Sequence, residues 1–499
     1  MSYPRGAEER YRTMKRITIA LLLASMLVSM AACGTDTGAD KGTETGETAD
    51  TAAVGSESES ESEADPLAHL ERVDMGGYAF RQLLRNNDIY VADMIAEEQT
   101  GEVVNDAVFR RNLEVGERYN CTFTYTRSSS DNSDMDAKPG IMAGDDAYDW
   151  VVAHGRAAAA YANEGLVMNF ETLKHLDLTK SWWDQDAVEN FKMPGGIFWL
   201  TGDISYQSVS AAFCMFFNKD FFRDSQMEFP YAAAREGTWT FDAFRKLVED
   251  GSRDLNGDGA LDENDLYGYV THNWSGPVAA FVSTGSRVVT SAADGYRFDV
   301  YNERTAAMAE KYFGMMETEG TYLDLKGGKN VELFQAGHAL FVDTTIARAT
   351  ILREMDYDFG ILPWPKYDEA SEYYANVDAA TNMIVVPITN RVADDTGLVL
   401  ESLAILGHEH VIPAYYDVAL KTRDSRDEDS AEMMDIIVAH RVFDLGYYNM
   451  DMGGAYASHF AELASKKNYD IASWYEKKLD AATVARDKTL ATYRERAGE

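Results

Sequence analysis

Short apolar segments alternate with amphipathic ones through most of the chain, and this alternation restricts the fold more than any other feature. Residues 80–84, 119–125 and 149–153 have the length and apolar content of strands, and residues 104–118 carry valines at helical spacing. Thr240 precedes a second amphipathic segment in the position of an N-cap. Strands that alternate with helices predict an α/β fold with a mostly parallel sheet. Further strands are predicted at residues 269–271, 339–342, 359–362 and 382–386, and helices at 398–406, 430–443 and 457–463.

An uncharged apolar run near the N-terminus, residues 17–32, follows Lys15 and Arg16. This is the pattern of a secretory signal, and it is too short for a stable membrane span. The run ends in SMAAC, which resembles the lipobox of bacterial lipoproteins, where the cysteine becomes the acylated N-terminus. Residues 1–33 are therefore predicted to be a lipoprotein signal peptide and lipobox, with Cys33 lipidated. A plain secretory signal with an accidental cysteine is the alternative.

The segment 34–65 has a composition that cannot form a core. It contains ten acidic residues and one basic residue, and Val54 is its largest apolar side chain. Such a stretch is predicted to be a disordered acidic linker. It would tether a folded body to the lipid on the extracytoplasmic face of the cell membrane.

The charge of the chain excludes one class of partner. There are 83 Asp and Glu residues against 46 Lys and Arg, a formal net charge of -37. A surface this negative repels phosphate backbones, so a nucleic-acid partner is excluded. Beyond Cys33, only Cys121 and Cys214 remain, too few for a disulfide framework. Whether these two form a pair is left open by the sequence.

Seven short strings give the chain a specific resemblance. They are EQTGEVVNDAV (98–108), GDDAYD (144–149), TGDIS (201–205), FFNKD (216–220), WTFD (239–242), DFGILP (358–363) and PAYYD (413–417). The order and spacing of these strings resemble those of a family 1 extracellular solute-binding protein, and especially of the carbohydrate-binding branch of that family. The resemblance runs from about residue 75 to 490.

The resemblance implies a two-lobed α/β fold of the type II periplasmic-binding kind, with a hinge and a ligand cleft between the lobes. The first lobe is placed at residues 66–212 and 362–408, and the second at 213–361 and 409–499. It further implies a monomeric receptor, not an enzyme, that captures a sugar or oligosaccharide and delivers it to the permease subunits of an ABC transporter. The lipid anchor would be its only contact with the membrane.

An acidic loop at residues 254–265 has the spacing of an EF-hand-type calcium site. Side-chain oxygens occupy positions 1, 3, 5, 9 and 12, Gly259 occupies the sharp turn, and position 7 would contribute a backbone carbonyl. The predicted ligands of a structural Ca²⁺ ion are Asp254, Asn256, Asp258, Ala260, Asp262 and Asp265. A solvated acidic loop without metal is the alternative.

Sugar rings stack on aromatic faces, and their hydroxyls bond to acids, amides and arginine, so residues of these types near the implied cleft are the candidates. Some follow strand ends, where open α/β sheets bind ligands. The predicted ligand-binding residues are Arg127, His154, Arg156, Asp203, Trp274, Trp364, Asp378, Tyr447, Tyr448 and Asn449.

Several of these residues have a structural alternative. Trp364 stands between two prolines, which favours a rigid turn, and Asp203 could cap neighbouring backbone. Arg156 could pair with surface acids, and Tyr447 and Tyr448 could close a helix end.

The common enzyme motifs are missing from the sequence. It has no Gly-x-Ser-x-Gly elbow, no His-Glu-x-x-His pair and no Walker loop. Paired carboxylates for glycoside hydrolysis cannot be recognised from sequence, because their separation in space defines them. A secreted, calcium-stabilised polysaccharide-degrading enzyme therefore stays as one alternative, and a glycan-adhesion lipoprotein without an importer as another.

Overall fold

The computed structural model describes residues 65–130, 135–259, 261–292, 295–318, 320–416 and 427–498. The strands are β1 (Tyr78–Leu84), β2 (Cys121–Arg127), β3 (Trp150–His154), β4 (Phe213–Asn218), β5 (Tyr267–His272), β6 (Val289–Ala292), β7 (Gly295–Phe298), β8 (Thr321–Asp324), β9 (Ala339–Thr345), β10 (Phe359–Leu362), β11 (Ala375–Asn376), β12 (Asn382–Val385) and β13 (Arg441–Val442). Cys33, the signal segment and residues 34–64 of the linker lie outside the described residues, as does Ala260 of the acidic loop.

The α-helices connect and cover these strands. They are α1 (Val103–Tyr119), α2 (Lys138–Ala143), α3 (Gly155–Asn163), α4 (Gln185–Asn190), α5 (Gln207–Ser210), α6 (Lys219–Asp224), α7 (Tyr231–Glu236), α8 (Phe241–Gly251), α9 (Ser275–Val282), α10 (Glu303–Met316), α11 (Lys329–Gln335), α12 (Ala349–Leu352), α13 (Ala393–Leu406), α14 (Glu428–Ala439), α15 (Leu445–Tyr448), α16 (Met450–Gly453), α17 (His459–Lys466) and α18 (Ile471–Ala497). Short 3₁₀-helices occupy Asp88–Tyr90, Phe170–Thr172, Ile346–Arg348 and Gly454–Tyr456, and a π-helix occupies Gly407–Val411. In the part of the chain that is described, no helix is both long and apolar enough to cross a membrane.

Two sheets form the centres of the two lobes. The first has the strand order β12-β3-β1-β2, and the second the order β10-β4-β9-β5-β8. Within the first sheet β1 is parallel to β2 and to β3, whereas β12 is antiparallel to β3. Helices cover both sheets, so this is the two-lobed α/β architecture that the sequence predicts.

The prediction of a mostly parallel sheet is wrong for the second lobe. There β5 is parallel to β8 and β9, but β4 is antiparallel to both β9 and β10. The reason lies in the connections between lobes, because the chain enters the second lobe just before β4 and leaves it just after β10. The strands that are joined to the crossing segments are therefore antiparallel to their neighbours.

The crossing segments pair with each other between the two sheets. Ala212 forms an antiparallel bridge with Val377, and the amide of Asp378 donates to the carbonyl of Ala211 at 2.9 Å. Next to them, β11 is parallel to β13. The backbone between the lobes is therefore a small set of hydrogen-bonded extended segments, and it carries Asp378.

The local signals used for the helices match the structure at several ends. Thr240 caps α8, since its side chain accepts a hydrogen bond from the amide of Ala243 at 3.3 Å. Cys121 and Cys214 are buried and free, and burial raises the pKa of Cys121 to about 11. The two thiols are therefore inert core groups at neutral pH.

Candidate functional site

The junction of β3 and α3 supplies the first two candidate residues. The side chain of His154 caps α3, because its Nδ1 accepts a hydrogen bond from the amide of Arg156 at 3.1 Å. Burial, together with the positive charges of Arg85 and Arg156, lowers the pKa of His154 to about 3. The ring is therefore neutral near pH 7, and its Nε2 carries the proton as a donor.

Gly155 allows the second crossing segment to approach this junction. Its amide donates to the carbonyl of Ala379 at 2.8 Å, and the ring of Tyr448 lies 2.5 Å from the place that a Cβ on Gly155 would occupy. No larger residue fits there without displacement of the ring. The strand end, the helix start and the crossing segment are held against one another.

The hydroxyl of Tyr447 connects three separate parts of the chain. It accepts a hydrogen bond from Trp274 Nε1 at 2.8 Å and donates one to Asp378 Oδ2 at 3.2 Å. Trp274 follows β5 in the second lobe, whereas Asp378 lies in the crossing segment. The indole, the phenol and the carboxylate form one polar chain, which we call the Trp274–Tyr447–Asp378 triad.

Arg156 covers the aromatic part of this triad. Its guanidinium carbon lies 4.7 Å from the centre of the Trp274 ring and 5.1 Å from that of Tyr447, within the range of a cation–π contact. Its Nε donates to the carbonyl of Tyr447 at 3.4 Å, and its Nη2 is buried without a hydrogen-bond partner among the described residues. A buried donor without an acceptor is costly, so this group is well placed for an acceptor on a ligand.

Tyr447 rests on a buried histidine. The ring of His459 stacks between Phe281, at 4.6 Å, and Tyr447, at 5.6 Å. Burial, with a smaller contribution from Arg156, lowers the pKa of His459 to about 3. His459 therefore acts as a neutral, flat support for Tyr447.

The structure buries three of the predicted ligand contacts completely. Tyr447, Tyr448 and Asn449 have exposed fractions of 0%. The hydroxyl of Tyr448 donates to the carbonyl of Val377 at 3.0 Å, and the amide groups of Asn449 and Asn163 bond to each other at 2.9 Å in both directions. In this conformation the three residues support the site from beneath, whereas His154, Arg156, Trp274 and Asp378 are half-buried and stay accessible.

A cavity of about 470 Å³ opens beside Arg156. It lies between α3 and the start of α16, and it is lined by His154, Arg156, Ala157, Ala160, Asn163, Met450 and Asp451. Two predicted ligand residues, His154 and Arg156, therefore line the cavity, and Arg156 also contacts Trp274 and Tyr447 of the triad.

Three predicted residues are not part of this cluster. Trp364 is 2% exposed and packs in the core of the second lobe near Phe244 and Tyr269, because the turn that carries it faces inward. Arg127 forms an ion pair with Asp88 at 2.8 Å. Asp203 contacts Nδ1 of His408 at 2.6 Å on the first lobe.

Sequence reasoning missed Arg85, which is fully buried at the end of β1. Its guanidinium lies 3.4 Å over the ring of Tyr90 and donates to the carbonyl of Ala380 and to Asn382 Oδ1. Arg85 thereby holds the crossing segment beside Asp378. The strand-end rule that selected His154 would have found Arg85 as well, had it been applied to β1.

The acidic loop turns its side chains onto its own backbone. Asp254 accepts from the amides of Gly257 and Gly259 at 2.7 and 2.9 Å, and Asp265 from those of Leu255 and Asp262, both at 2.9 Å. These amides lower the pKa of Asp265, which keeps it ionised. No three His, Cys, Asp or Glu side chains within the described ranges converge as a metal site. Calcium binding therefore stays a prediction.

The structure is similar to solved structures of sugar-binding proteins. The cyclic α-maltosyl-1,6-maltose binding protein of Arthrobacter globiformis superposes with a TM-score of 0.57 at 13% identity, over 83% of this chain and 99% of that one. An ABC substrate-binding protein of Listeria monocytogenes in complex with cycloalternan gives 0.51 at 12%, over 85% and 99%. A cyclo/maltodextrin-binding protein complexed with maltotetraose gives 0.53 at 12%, over 84% and 97%.

The chain has the fold of these sugar-binding proteins. This confirms the two-lobed α/β fold predicted from the sequence. The three solved structures are described as binding proteins. No protein-family model and no curated protein sequence matches the chain.

Proposed function

We propose that this chain is the substrate receptor of an ABC importer and captures a neutral sugar or oligosaccharide between its two lobes. One observation carries the proposal. The Trp274–Tyr447–Asp378 triad joins the second lobe to the crossing segment, and Arg156 of the first lobe adds a buried donor, without a partner in the part of the chain that the structure describes, beside an open cavity.

The chemistry of the accessible groups suits a sugar. Trp274 offers an aromatic surface, Asp378 an acceptor, and Arg156 and His154 donors. A hydroxyl both donates and accepts, so one polyol can satisfy all of these groups at once. The sugar-bound state would be the closed one, because a ligand that contacts both lobes stabilises the conformation in which both are near.

The remaining parts of the proposal concern location and partners. Acylation of Cys33 would hold the receptor on the extracytoplasmic face of the membrane, with residues 34–65 as the tether. The closed lobes of the monomer would then dock on permease subunits. Radiolabelled palmitate incorporation, expected for the wild type and lost in Cys33→Ala, tests the anchor.

Calorimetric titration of residues 34–499 with a panel of oligosaccharides tests the binding function. We expect saturable one-to-one binding without change in the sugar. Trp274→Ala is expected to weaken affinity at least about tenfold, or about 1.4 kcal/mol. Trp182→Phe is the matched control, since Trp182 is also half-buried but bonds to Glu401 far from the triad.

Two results would contradict this proposal. Continued heat release with shortened products would indicate a polysaccharide-degrading enzyme. Binding by purified protein together with normal sugar uptake in a deletion strain would indicate a glycan-adhesion lipoprotein instead.

A further inference from the structure

The cavity beside Arg156 is a groove along one face of α3. Its helical lining residues are Arg156, Ala157, Ala160 and Asn163, of which Arg156, Ala160 and Asn163 have the spacing that places side chains on one side of a helix. From Arg156 to Asn163 the helix rises about 10 Å. The groove is thus longer than one sugar ring, and it begins at the residue that stacks on Trp274.

Small side chains make the floor of this groove. Ala160 leaves the helix surface open, Ala157 is buried beside it, and the opposite wall is formed by Met450 and Asp451. Met450 is 47% exposed, and its flexible thioether can adapt to an apolar surface. Such a floor and wall suit the C–H face of a pyranose ring.

The two ends of the groove are polar and of opposite charge. Arg156 Nη2 stands at one end as a donor that no described residue pairs with. At the other end Asn163 Nδ2 donates to Asp451 Oδ2 at 2.9 Å, and the hydroxyl of Tyr493 donates to Asn163 Oδ1 at 3.0 Å. These bonds hold Asp451 in place, and its carboxylate can accept from a sugar hydroxyl but repels a sugar carboxylate.

We infer that this groove is a further subsite that holds the later rings of a neutral oligosaccharide whose first ring lies at Trp274. The inference rests on the proposed sugar-binding function and adds to it a preference for chain length and for uncharged rings. Ala160 and Asp451 are the residues that determine this preference.

Calorimetry with sugars of increasing length tests the inference. The probes are glucose to maltotetraose, mannose to mannotetraose, and galacturonic acid to tetragalacturonate. The variants are Ala160→Leu, which fills the groove with a residue of good helix propensity, and Ala160→Ser, its small control. Asp451→Asn is a second test on an exposed residue, where folding is not at risk.

The wild type is expected to bind a neutral tetrasaccharide at least about tenfold more tightly than the monosaccharide. Ala160→Leu and Asp451→Asn should remove that advantage and leave monosaccharide affinity within about twofold, while Ala160→Ser keeps it. Equal tetrasaccharide affinity in wild type and both variants would overturn the inference, as would preferred binding of the galacturonate series. Wild-type protein that binds no sugar would overturn the proposed function itself, before any variant is compared.

Discussion

At the scale of single residues, close contacts determine which side chains can take part in the site. Trp364 and Trp274 are both flanked by turn residues, yet only Trp274 stays accessible. Arg156 has no ion pair with any described residue, although acids greatly outnumber bases in the chain. The residues around a position in the sequence therefore indicate which types of side chain form the site, but they do not indicate which of these side chains are accessible.

Replacement of Gly155 by alanine tests the contact between α3 and Tyr448. The new Cβ would stand 2.5 Å from the Tyr448 ring and 3.0 Å from the carbonyl of Ala379. We expect a loss of about 1–3 kcal/mol in the free energy of unfolding, measured in urea, because the site is overpacked. Gly314→Ala is the control, since nothing lies within 4 Å of its Cβ position in the last turn of α10, where the residue is exposed. It should gain about 0.5–1 kcal/mol, and equal effects of the two changes would contradict the packing argument.

Asp343 gives a prediction on pH. It is fully buried, and its Oδ1 accepts from the hydroxyl of Tyr269 at 2.6 Å. Burial raises its pKa to about 6 from 3.8, so between these values the folded state binds the additional proton. This contribution to stability is present at low pH and is lost as pH rises through about 6.

The variant Asp343→Asn carries no titrating group at this position. Its free energy of unfolding, relative to the wild type, should therefore increase between pH 4 and pH 7 and stay level above pH 7. Urea titrations at each pH measure the difference. A constant difference across this range would show that Asp343 does not titrate there.

At the scale of elements, most strand cores follow from the apolar pattern, and the segment predicted at 359–362 coincides with β10. The ends of helices and strands that depend on tertiary contacts cannot be predicted from the apolar pattern. The helix predicted to end at residue 406 continues into a π-helix, Gly407–Val411, where the backbone of Gly407 packs against that of Asp203. The bounds of the long α18 do not follow from the sequence, because its hydrophobic pattern is weak along its 27 residues.

The acidic loop is the element for which a bound ion is still a prediction. If Ca²⁺ binds, we expect millimolar calcium to raise the thermal midpoint and a chelator to lower it, because an ion that binds only the folded state stabilises it. Asp254→Asn should abolish this difference, and Mg²⁺ at the same concentration is the control. An unchanged midpoint in the wild type would identify the loop as a turn held by its own carboxylates.

At the scale of the whole molecule, function depends on how the two lobes are joined. The hydroxyl of Tyr447 is a direct link between the second lobe and the crossing segment, and Arg85 attaches that segment to the first lobe. A ligand at Trp274 would therefore meet a surface already oriented for it, which lowers the entropic cost of binding.

Tyr447→Phe tests this link by the loss of one oxygen atom. The ring can still stack on His459 and lie under Arg156, so the fold should persist. We expect sugar affinity to fall about tenfold and the sugar-induced decrease in radius of gyration, measured by small-angle X-ray scattering, to become smaller. Tyr231→Phe is the control, because its buried hydroxyl bonds to Ser430 away from the triad. Unchanged affinity in Tyr447→Phe would remove the triad from the mechanism.

The sequence by itself determined the α/β class, the positions of most strands and the residues that follow β3 and β5, because periodicity and turn chemistry are local properties. It did not determine which of the candidate side chains meet. Tyr447 lies 173 positions from Trp274 and 69 from Asp378, and only the folding of both lobes brings their polar atoms within hydrogen-bond distance. The same folding buries Trp364, attaches Arg85 to the crossing segment and opens the groove along α3. These outcomes depend on packing between distant segments, which no local pattern encodes.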